Sequence, residues 1–233
     1  MRAPVKTRRT FLNVTLAAMT SILMPGRLVA SETLAPTPEL TRGPFYPPAP
    51  TGLPLLRARA FVPQPLTNDL TKTTAQRRAQ GRQIYVSGTV TDTVGRPLIG
   101  ARVEIWSVNA KNIYLVEDGG ASDPGFAGFG MTVTNDEGRY TFRTIRPEGY
   151  DRYLGLIRRT AHIHFLVQVN GARTFSTEMW FADEPRNRID SFFKRVTNRR
   201  IRARMAVELR PVDGIDHAQF DIVLAPEFAG RAV

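Results

Sequence analysis

Short β-favouring segments, each bounded by turn-forming residues, run from residue 84 to residue 224, and this pattern most constrains the fold. The segments are rich in β-branched and aromatic residues. They are Ile84–Thr91, Ala101–Trp106, Met131–Thr134, Arg139–Ile145, His162–Val169, Phe175–Phe181, Met205–Leu209 and Gln219–Leu224. Strands of this length and spacing, with few short helices, predict an all-β fold, a β-sandwich of mostly antiparallel strands. The turn Asn135–Gly138 predicts a hairpin between its two flanking segments.

A Pro-rich region precedes the sandwich domain, which we place at residues 84–233. Nine prolines lie between Pro36 and Pro65, so residues 31–83 are expected to start as an extended arm without regular structure. The arm contains Phe45, Tyr46 and several leucines, too apolar for a free linker, and we expect it to pack on the sandwich. A short helix is expected within Thr67–Gly81.

The first 30 residues resemble a twin-arginine export signal. Arg8-Arg9 is followed by Phe11-Leu12 and by the apolar run Val14–Met24, which is too short to span a bilayer permanently. We therefore expect residues 1–30 to be removed near Ala30, the protein to be periplasmic or extracellular, and no stable membrane span. The alternative is a basic tail without function. The twin-arginine route carries folded proteins, which suits a cofactor that is loaded before export.

Charge and cysteine content narrow the range of functions. The net charge is +11, and without the five Lys/Arg of residues 1–30 it is +6, which suits a polar or anionic small substrate. The densest basic stretch is Arg186–Arg204, where Ile189, Phe192, Phe193 and Val196 recur at helical spacing. We interpret it as a helical segment with a solvated basic face, and expect no nucleic-acid partner. The chain has no cysteine, which excludes disulfides and thiolate metal ligands.

Two of the three histidines, His162 and His164, lie in one predicted strand. Side chains alternate along a strand, so both imidazoles are expected on the same face, where they could chelate one metal ion. A pair of hydrogen-bonded structural histidines is the alternative, and the pair alone leaves both interpretations open.

Two tyrosines, Tyr114 and Tyr150, favour the metal interpretation. A free phenol has a pKa of about 10 and is a poor ligand at neutral pH, but a trivalent cation can displace its proton. Two phenolates and two imidazoles together suit a hard ion of high charge, and Fe(III) is the natural candidate. A site of two histidines and one carboxylate for Fe(II) would need an Asp or Glu beside the histidines, and none is evident there in the sequence.

Some strand and turn sequences are also typical of non-catalytic sandwich modules. Examples are Gly88–Asp92, Gly95–Ile105 and Asp136–Phe142. An exported binding module with a vestigial metal site therefore stays open as an alternative function.

Six sequence pieces, in order along the chain, carry a resemblance to a known family. They are Gly43–Pro47, Val103–Trp106 with Tyr114, Phe126–Gly130, Phe142–Pro147 with Tyr150, Arg159–Phe165 and Phe220–Leu224. In this order and spacing the chain resembles the intradiol ring-cleavage dioxygenases, the family of the catechol and protocatechuate 3,4-dioxygenases.

The resemblance implies an oxidoreductase of aromatic-compound catabolism that cleaves a catechol-type ring between its two hydroxyls with O₂, giving a cis,cis-muconate-type product. Its cofactor would be Fe(III), held by Tyr114, Tyr150, His162 and His164. Either Tyr114 or Tyr150 would also act as a base, and Arg159 would stabilise negative charge on the bound substrate. The resemblance does not specify which catechol is cleaved.

The chain departs from the family pattern at a few positions. Glu178 lies in Thr177–Phe181, where the family often has glutamine, and we expect it to form an ion pair with Arg159. The helical dimerisation segment of catechol 1,2-dioxygenases has no counterpart here, which places the chain nearer the protocatechuate type. Such enzymes can be built from two related chains, so a homo-oligomer and a related partner chain both stay open. His217 matches no ligand position and is expected to be structural.

Overall fold

The computed structural model describes residues 33–47, 67–73 and 77–230. The strands are β1 (Gln83–Asp92), β2 (Arg102–Trp106), β3 (Phe129–Val133), β4 (Arg139–Ile145), β5 (Tyr150–Arg152), β6 (Ile157–Arg159), β7 (His162–Gln168), β8 (Phe175–Phe181), β9 (Ala206–Val207), β10 (Leu209–Val212), β11 (Ile215–Gln219) and β12 (Ile222–Leu224). The helices are α1 (Leu115–Asp118), α2 (Ser191–Arg195), α3 (Arg199–Met205) and α4 (Pro226–Ala229), with a 3₁₀ turn at Pro185–Arg188. The predicted β-sandwich with few short helices is confirmed.

The first sheet is built around β1. Its order is β10-β11-β1-β12, and β4 also pairs with β1. The pairing of β4 is antiparallel, whereas β11 and β12 run parallel to successive parts of β1. Where β1 passes from one partner to the other, a Cβ on Gly88 would lie 1.9 Å from the Phe220 carbonyl oxygen, so the close approach requires glycine.

The second sheet places the two predicted ligand histidines. Its order is β3-β2-β7-β8-β9, and only its β8–β9 pair is parallel. Along β7, Ile163, Phe165 and Val167 pack in the core between the two sheets. For example, the Phe165 and Tyr140 rings meet across the sheets at 5.9 Å between centroids. His162 and His164 therefore lie on the opposite face of β7, both of them buried, as the alternation along a strand predicts.

The predicted hairpin around Asn135–Gly138 is wrong, because the two strands beside this turn belong to different sheets. The turn itself forms, with the Asn135 amide donating to the Arg139 carbonyl. However, β3 pairs with β2, and β4 pairs with β1 along its whole length. The turn therefore passes the chain from one layer of the sandwich to the other.

Other differences from the predicted strands lie in short or polar segments. The predicted strand Met205–Leu209 is divided, since α3 ends at Met205 and β9 and β10 follow. The predicted strand Gln219–Leu224 is divided between the end of β11 and β12. The hairpin of β5 and β6 was not predicted, and these two strands form a small sheet of their own.

The described part of the arm contacts both sheets. The Thr37 amide donates to the Val223 carbonyl, and the Leu40 amide donates to the Ser176 carbonyl. Leu53 and most of its proline neighbours lie outside the described residues. Within Thr67–Gly81 the described residues form turns and isolated bridges rather than the expected helix.

The basic stretch Arg186–Arg204 forms three short helical pieces rather than one amphipathic helix. Asp190 and Asn198 accept backbone N–H bonds at the starts of α2 and α3, so each begins a new helix. Val196 is buried as expected, but Ile189 is 45% exposed and is not part of a buried stripe.

Residues 1–32 lie outside the described residues, so the export signal stays a prediction, as do the domain boundaries at residues 30 and 83. No helix formed by the described residues is long and apolar enough to cross a membrane.

Candidate metal centre

Four predicted ligand side chains converge on one point. The Tyr114 hydroxyl lies 3.1 Å from the Tyr150 hydroxyl, 3.2 Å from His162 Nε2 and 3.1 Å from His164 Nε2. The two Nε2 atoms are 3.2 Å apart. All four side chains are buried. The structure thus brings together every residue that the sequence proposed as a metal ligand.

Three different elements position these donors. Both histidines extend from the same face of β7, and Tyr114 lies in the connection after β2, directly before α1. The Tyr114 amide donates to the Glu117 carboxylate at 2.7 Å, which fixes the start of this helix. Tyr150 begins β5 and pairs in register with Arg159 of β6. The β5–β6 hairpin therefore positions both the Tyr150 phenol and the Arg159 guanidinium.

Hydrogen bonds orient the imidazoles. His162 Nδ1 lies 2.6 Å from the Thr160 carbonyl oxygen and donates its proton to it, because a carbonyl can only accept. In the neutral ring this leaves a lone pair on Nε2, which faces the other donors. Metal-binding histidines are commonly held in this way, with the second ring nitrogen donating to a carbonyl or carboxylate.

The spacing of the donors fits a single bound ion. Nitrogen and oxygen ligands lie about 2 Å from a small transition-metal ion, so neighbouring ligands lie roughly 3 Å from each other. The separations of 3.1–3.2 Å in this centre agree with this spacing. The four donors therefore fit a hard, oxidised metal ion in both chemistry and geometry.

The protein alone keeps these four groups uncharged. Burial, and next the charge of Tyr150, raise the pKa of Tyr114 well above its usual value. Burial raises the pKa of Tyr150 too, with the Arg159 charge acting against it. Burial and then nearby positive charge hold the pKa of His162 and of His164 well below the usual value. Neutral imidazoles are ready to bind a metal, whereas the phenols ionise only if a multivalent cation displaces their protons.

Glu178 corrects the expectation that no carboxylate lies beside the histidines. It is the cross-strand partner of His164, and the donor atoms of His162, His164 and Glu178 all lie within 4.8 Å of one another. Glu178 Oε1 is 3.6 Å from Nδ1 of His164, the nitrogen that points away from the two tyrosines. The carboxylate therefore lies behind the imidazole rather than among the converging donors.

The expected ion pair between Glu178 and Arg159 is confirmed. Glu178 Oε2 accepts from Arg159 Nη2 at 2.5 Å and from Trp180 Nε1 at 3.2 Å. Burial raises the pKa of Glu178, and the charge of Arg159 opposes that rise. Because both partners are buried, the guanidinium is held in one position beside the centre.

Asp190 is a site residue that the sequence interpretation missed. Its Oδ2 accepts from Arg159 Nε at 3.0 Å and from the Thr160 amide at 2.8 Å. Its Oδ1 accepts the amides of Phe192 and Phe193 at the start of α2. The only available signal was an Asp directly before a Ser at a helix start, which indicates a cap but no contact with Arg159.

Two aromatic rings form walls of the centre. Phe45 of the arm stacks on Tyr114, with 4.5 Å between ring centroids and 10° between planes. Trp106 stacks on His164 at 4.8 Å and 4°. Tyr46 anchors the arm beside them, donating from its hydroxyl to Glu104 at 2.7 Å. These contacts restrict the orientation of one phenol and one imidazole.

A cavity of about 340 Å³ adjoins the centre. Its lining combines site residues with residues of the arm, the β5–β6 hairpin and α2. They are Thr41, Gly43, Pro44, Phe45, Tyr150, Arg152, Tyr153, Ile157, Arg159, His164, Glu178 and Phe192. A single-ring aromatic molecule fits a space of this size next to the two phenols.

The family model described as dioxygenase matches residues 56–226 of this chain. The chain belongs to this family, whose relatives named below are intradiol ring-cleaving dioxygenases.

Two relatives illustrate the match. A hydroxyquinol 1,2-dioxygenase from Rhizobium sp. (strain MTP-10005) is 35% identical over 126 residues, covering 49% of this chain and 42% of that protein. A protocatechuate 3,4-dioxygenase beta chain from Burkholderia cepacia is 34% identical over 170 residues, covering 69% of this chain and 72% of the relative. The chain thus spans less than half of the first relative and about three quarters of the second.

A solved structure supports the same assignment. The dioxygenase domain of a dioxygenase and carbohydrate-binding protein fusion from Streptomyces sp. SirexAA-E superposes with a TM-score of 0.59 at 27% identity. The superposition covers 82% of this chain and 99% of that domain.

Proposed function

We propose that this protein is a non-haem Fe(III) dioxygenase that cleaves a catechol-type ring between its two hydroxyls. One observation carries the proposal: the Tyr114 hydroxyl lies within 3.2 Å of the Tyr150 hydroxyl and of both imidazole Nε2 atoms, next to a cavity large enough for one aromatic ring. Both atoms of O₂ enter the ring-opened diacid, so the diol supplies the electrons and no reductant or organic cofactor is needed. The family match supports the reaction class.

Tyr114, Tyr150, His162 and His164 would hold the iron. When bound, a ferric ion supplies the positive charge that ionises the phenols and acidifies the substrate hydroxyls. The two tyrosines differ in their surroundings, since Tyr150 lines the cavity and Tyr114 lies under Phe45. We assign to one of them, by the resemblance to the family, the role of the base that takes a proton from the diol.

We assign to Arg159 the stabilisation of negative charge on the substrate. It lines the cavity, and its two carboxylate partners hold the guanidinium in place without covering it completely. A fixed cation in a buried site stabilises charge that develops on a bound ring without having to reorient.

The first test is a visible spectrum of the purified protein with Fe(III). A ferric ion bound by tyrosinate gives a reddish protein, and its band should shift when catechol is added without oxygen. Oxygen uptake should follow when air is admitted. A colourless protein that takes up no oxygen with any diol would instead support the non-catalytic binding module.

A further inference from the structure

We infer that the cavity selects catechols with an uncharged, apolar substituent and discriminates against catechols that carry a carboxylate. This inference rests on the proposed function and extends it to the class of substrate. It goes against the relative that the chain covers well, which is named a protocatechuate dioxygenase chain. Two separate features of the cavity lead to it, its charge balance and its apolar lining.

The first feature is that Arg159, the cation assigned above to the diol, supplies no second positive charge for a carboxylate on the substituent. Its guanidinium contacts Glu178 at 2.5 Å and Asp190 at 3.0 Å, and both carboxylates are fully buried. Its third neighbour is the Phe192 ring, 4.4 Å from the central guanidinium carbon. Two buried carboxylates therefore already offset this one guanidinium.

The other arginine in the described lining, Arg152, is also engaged. Its Nη2 contacts Glu117 at 3.2 Å and donates to the Asn112 carbonyl. Its guanidinium carbon lies 4.5 Å from the Tyr150 ring centroid. Among the described residues that line the cavity, each cation is therefore matched by at least one carboxylate.

A carboxylate on the substrate would add negative charge to this balance. The diol already loses protons from its hydroxyls, and Glu178 contributes a further anion at the cavity wall. Like charges brought together away from water repel each other strongly unless a cation offsets them. The cavity therefore disfavours a diol with a third acidic group.

The second feature is the apolar surface that faces the rest of the substrate. Pro44, Phe45, Tyr153, Ile157 and Phe192 line the cavity and come from the arm, the β5–β6 hairpin and α2. At the tip of the same hairpin, Leu154 is fully exposed and Leu156 is 86% exposed. Neighbouring exposed apolar side chains of this size commonly mark a binding surface. Transfer of an alkyl or aryl substituent from water to this apolar surface would make binding more favourable, whereas transfer of a carboxylate would make it less favourable.

The first test ranks substrates for the iron-loaded protein. We expect kcat/KM for 4-methylcatechol and 4-phenylcatechol to equal or exceed that for catechol. For protocatechuate it should be at least about tenfold lower than for 4-methylcatechol. Anaerobic titrations that follow the visible band should give dissociation constants in the same order. Protocatechuate cleaved and bound as well as 4-phenylcatechol would overturn the inference.

Two variants separate the features. Glu178→Gln should raise kcat/KM for protocatechuate relative to 4-methylcatechol by about tenfold, whereas Glu137→Gln, an equal charge change in an exposed turn, should leave the ratio unchanged. Ile157→Ser should lower the preference for 4-phenylcatechol over catechol by about tenfold, and Ile99→Ser on an exposed turn should not. Unchanged ratios in both cavity variants would contradict the inference.

The outcomes distinguish this inference from the proposed function. If no diol is cleaved, the proposed function fails, and anaerobic binding still ranks the ligands. If Glu178→Gln does not fold or does not retain iron, the ranking by the wild-type protein decides alone. If diols are cleaved with a preference for protocatechuate, the proposed function stands and this inference fails.

Discussion

At the scale of single residues, Tyr114 connects the whole centre, because its hydroxyl lies within 3.2 Å of the other three donors. We expect Tyr114→Phe to lose the visible band and most of the bound iron, with ring cleavage reduced at least about 100-fold. Metal analysis and oxygen uptake measure both effects. Tyr85→Phe is the matched control, since Tyr85 packs on His217 away from the centre and should keep colour and activity.

Asp190 illustrates a residue with two structural roles. Asp190→Ala removes the cap of α2 and leaves Arg159 with one carboxylate, so we expect the free energy of unfolding to fall by about 3 kcal/mol or more. Asp190→Asn keeps a side-chain oxygen that can cap α2, so its free energy of unfolding should fall by less than that of Asp190→Ala. Urea denaturation of the three proteins measures this order, and equal stability of Asp190→Ala and wild type would contradict it.

Single residues also show what the sequence could predict of the site. The four donors and Arg159 were predicted because the resemblance covers the segments that carry them. Asp190, Phe45 and Trp106 were not assigned to the site, because their contacts join segments far apart in the chain. No local pattern encodes such contacts.

At the scale of elements, the turn after β1 depends on Asp92. Its carboxylate accepts the Val94 and Arg96 amides and Arg96 Nε at 2.7–3.0 Å. Burial raises the pKa of Asp92, but these hydrogen bonds outweigh it and leave the pKa below its usual value. A depressed pKa in the folded state gives stability that is present above about pH 4, the unfolded value, and is lost as pH falls through the folded value.

We therefore expect Asp92→Asn to lower the free energy of unfolding by about 1 kcal/mol at pH 7, with the difference closing below about pH 4. Denaturant titrations across this pH range measure it. Asp136→Asn in the exposed turn between β3 and β4 is the control. A difference that is independent of pH would show that the charge of Asp92 contributes nothing.

Elements also differ in how well the sequence predicts them. β1, β4, β7 and β8 were predicted within about a residue or two, because their apolar residues alternate or run together as buried strands require. β5 and β6 have the sequences Tyr-Asp-Arg and Ile-Arg-Arg, which show no such pattern. The predicted hairpin failed for another reason, since a turn specifies a reversal of the chain but not the sheet that each strand joins.

At the scale of the whole molecule, we propose that the protein is exported folded through the twin-arginine route. Replacing Arg8 and Arg9 together by lysine should keep the full-length protein in the cytoplasm, whereas the unaltered protein should be processed and exported. Cell fractionation with an antibody against the mature chain measures this. The control replaces Arg2 by lysine and Lys6 by arginine, because these residues lie outside the arginine pair.

The separation of the donors along the chain has a consequence for assembly. Along the chain, Tyr114 is 36 residues from Tyr150, 48 from His162 and 50 from His164. Phe45, which belongs to the arm, must also pack on the Tyr114 ring. The entropy of closing such long loops is lost before the contacts between the donors can stabilise the fold. We therefore expect a partly folded chain to lack the complete metal site. Colour would then return only in the last phase of refolding. If the protein is exported only after this phase, as proposed above, the exported molecules would all have a complete iron site. Iron binding would then report that folding is complete.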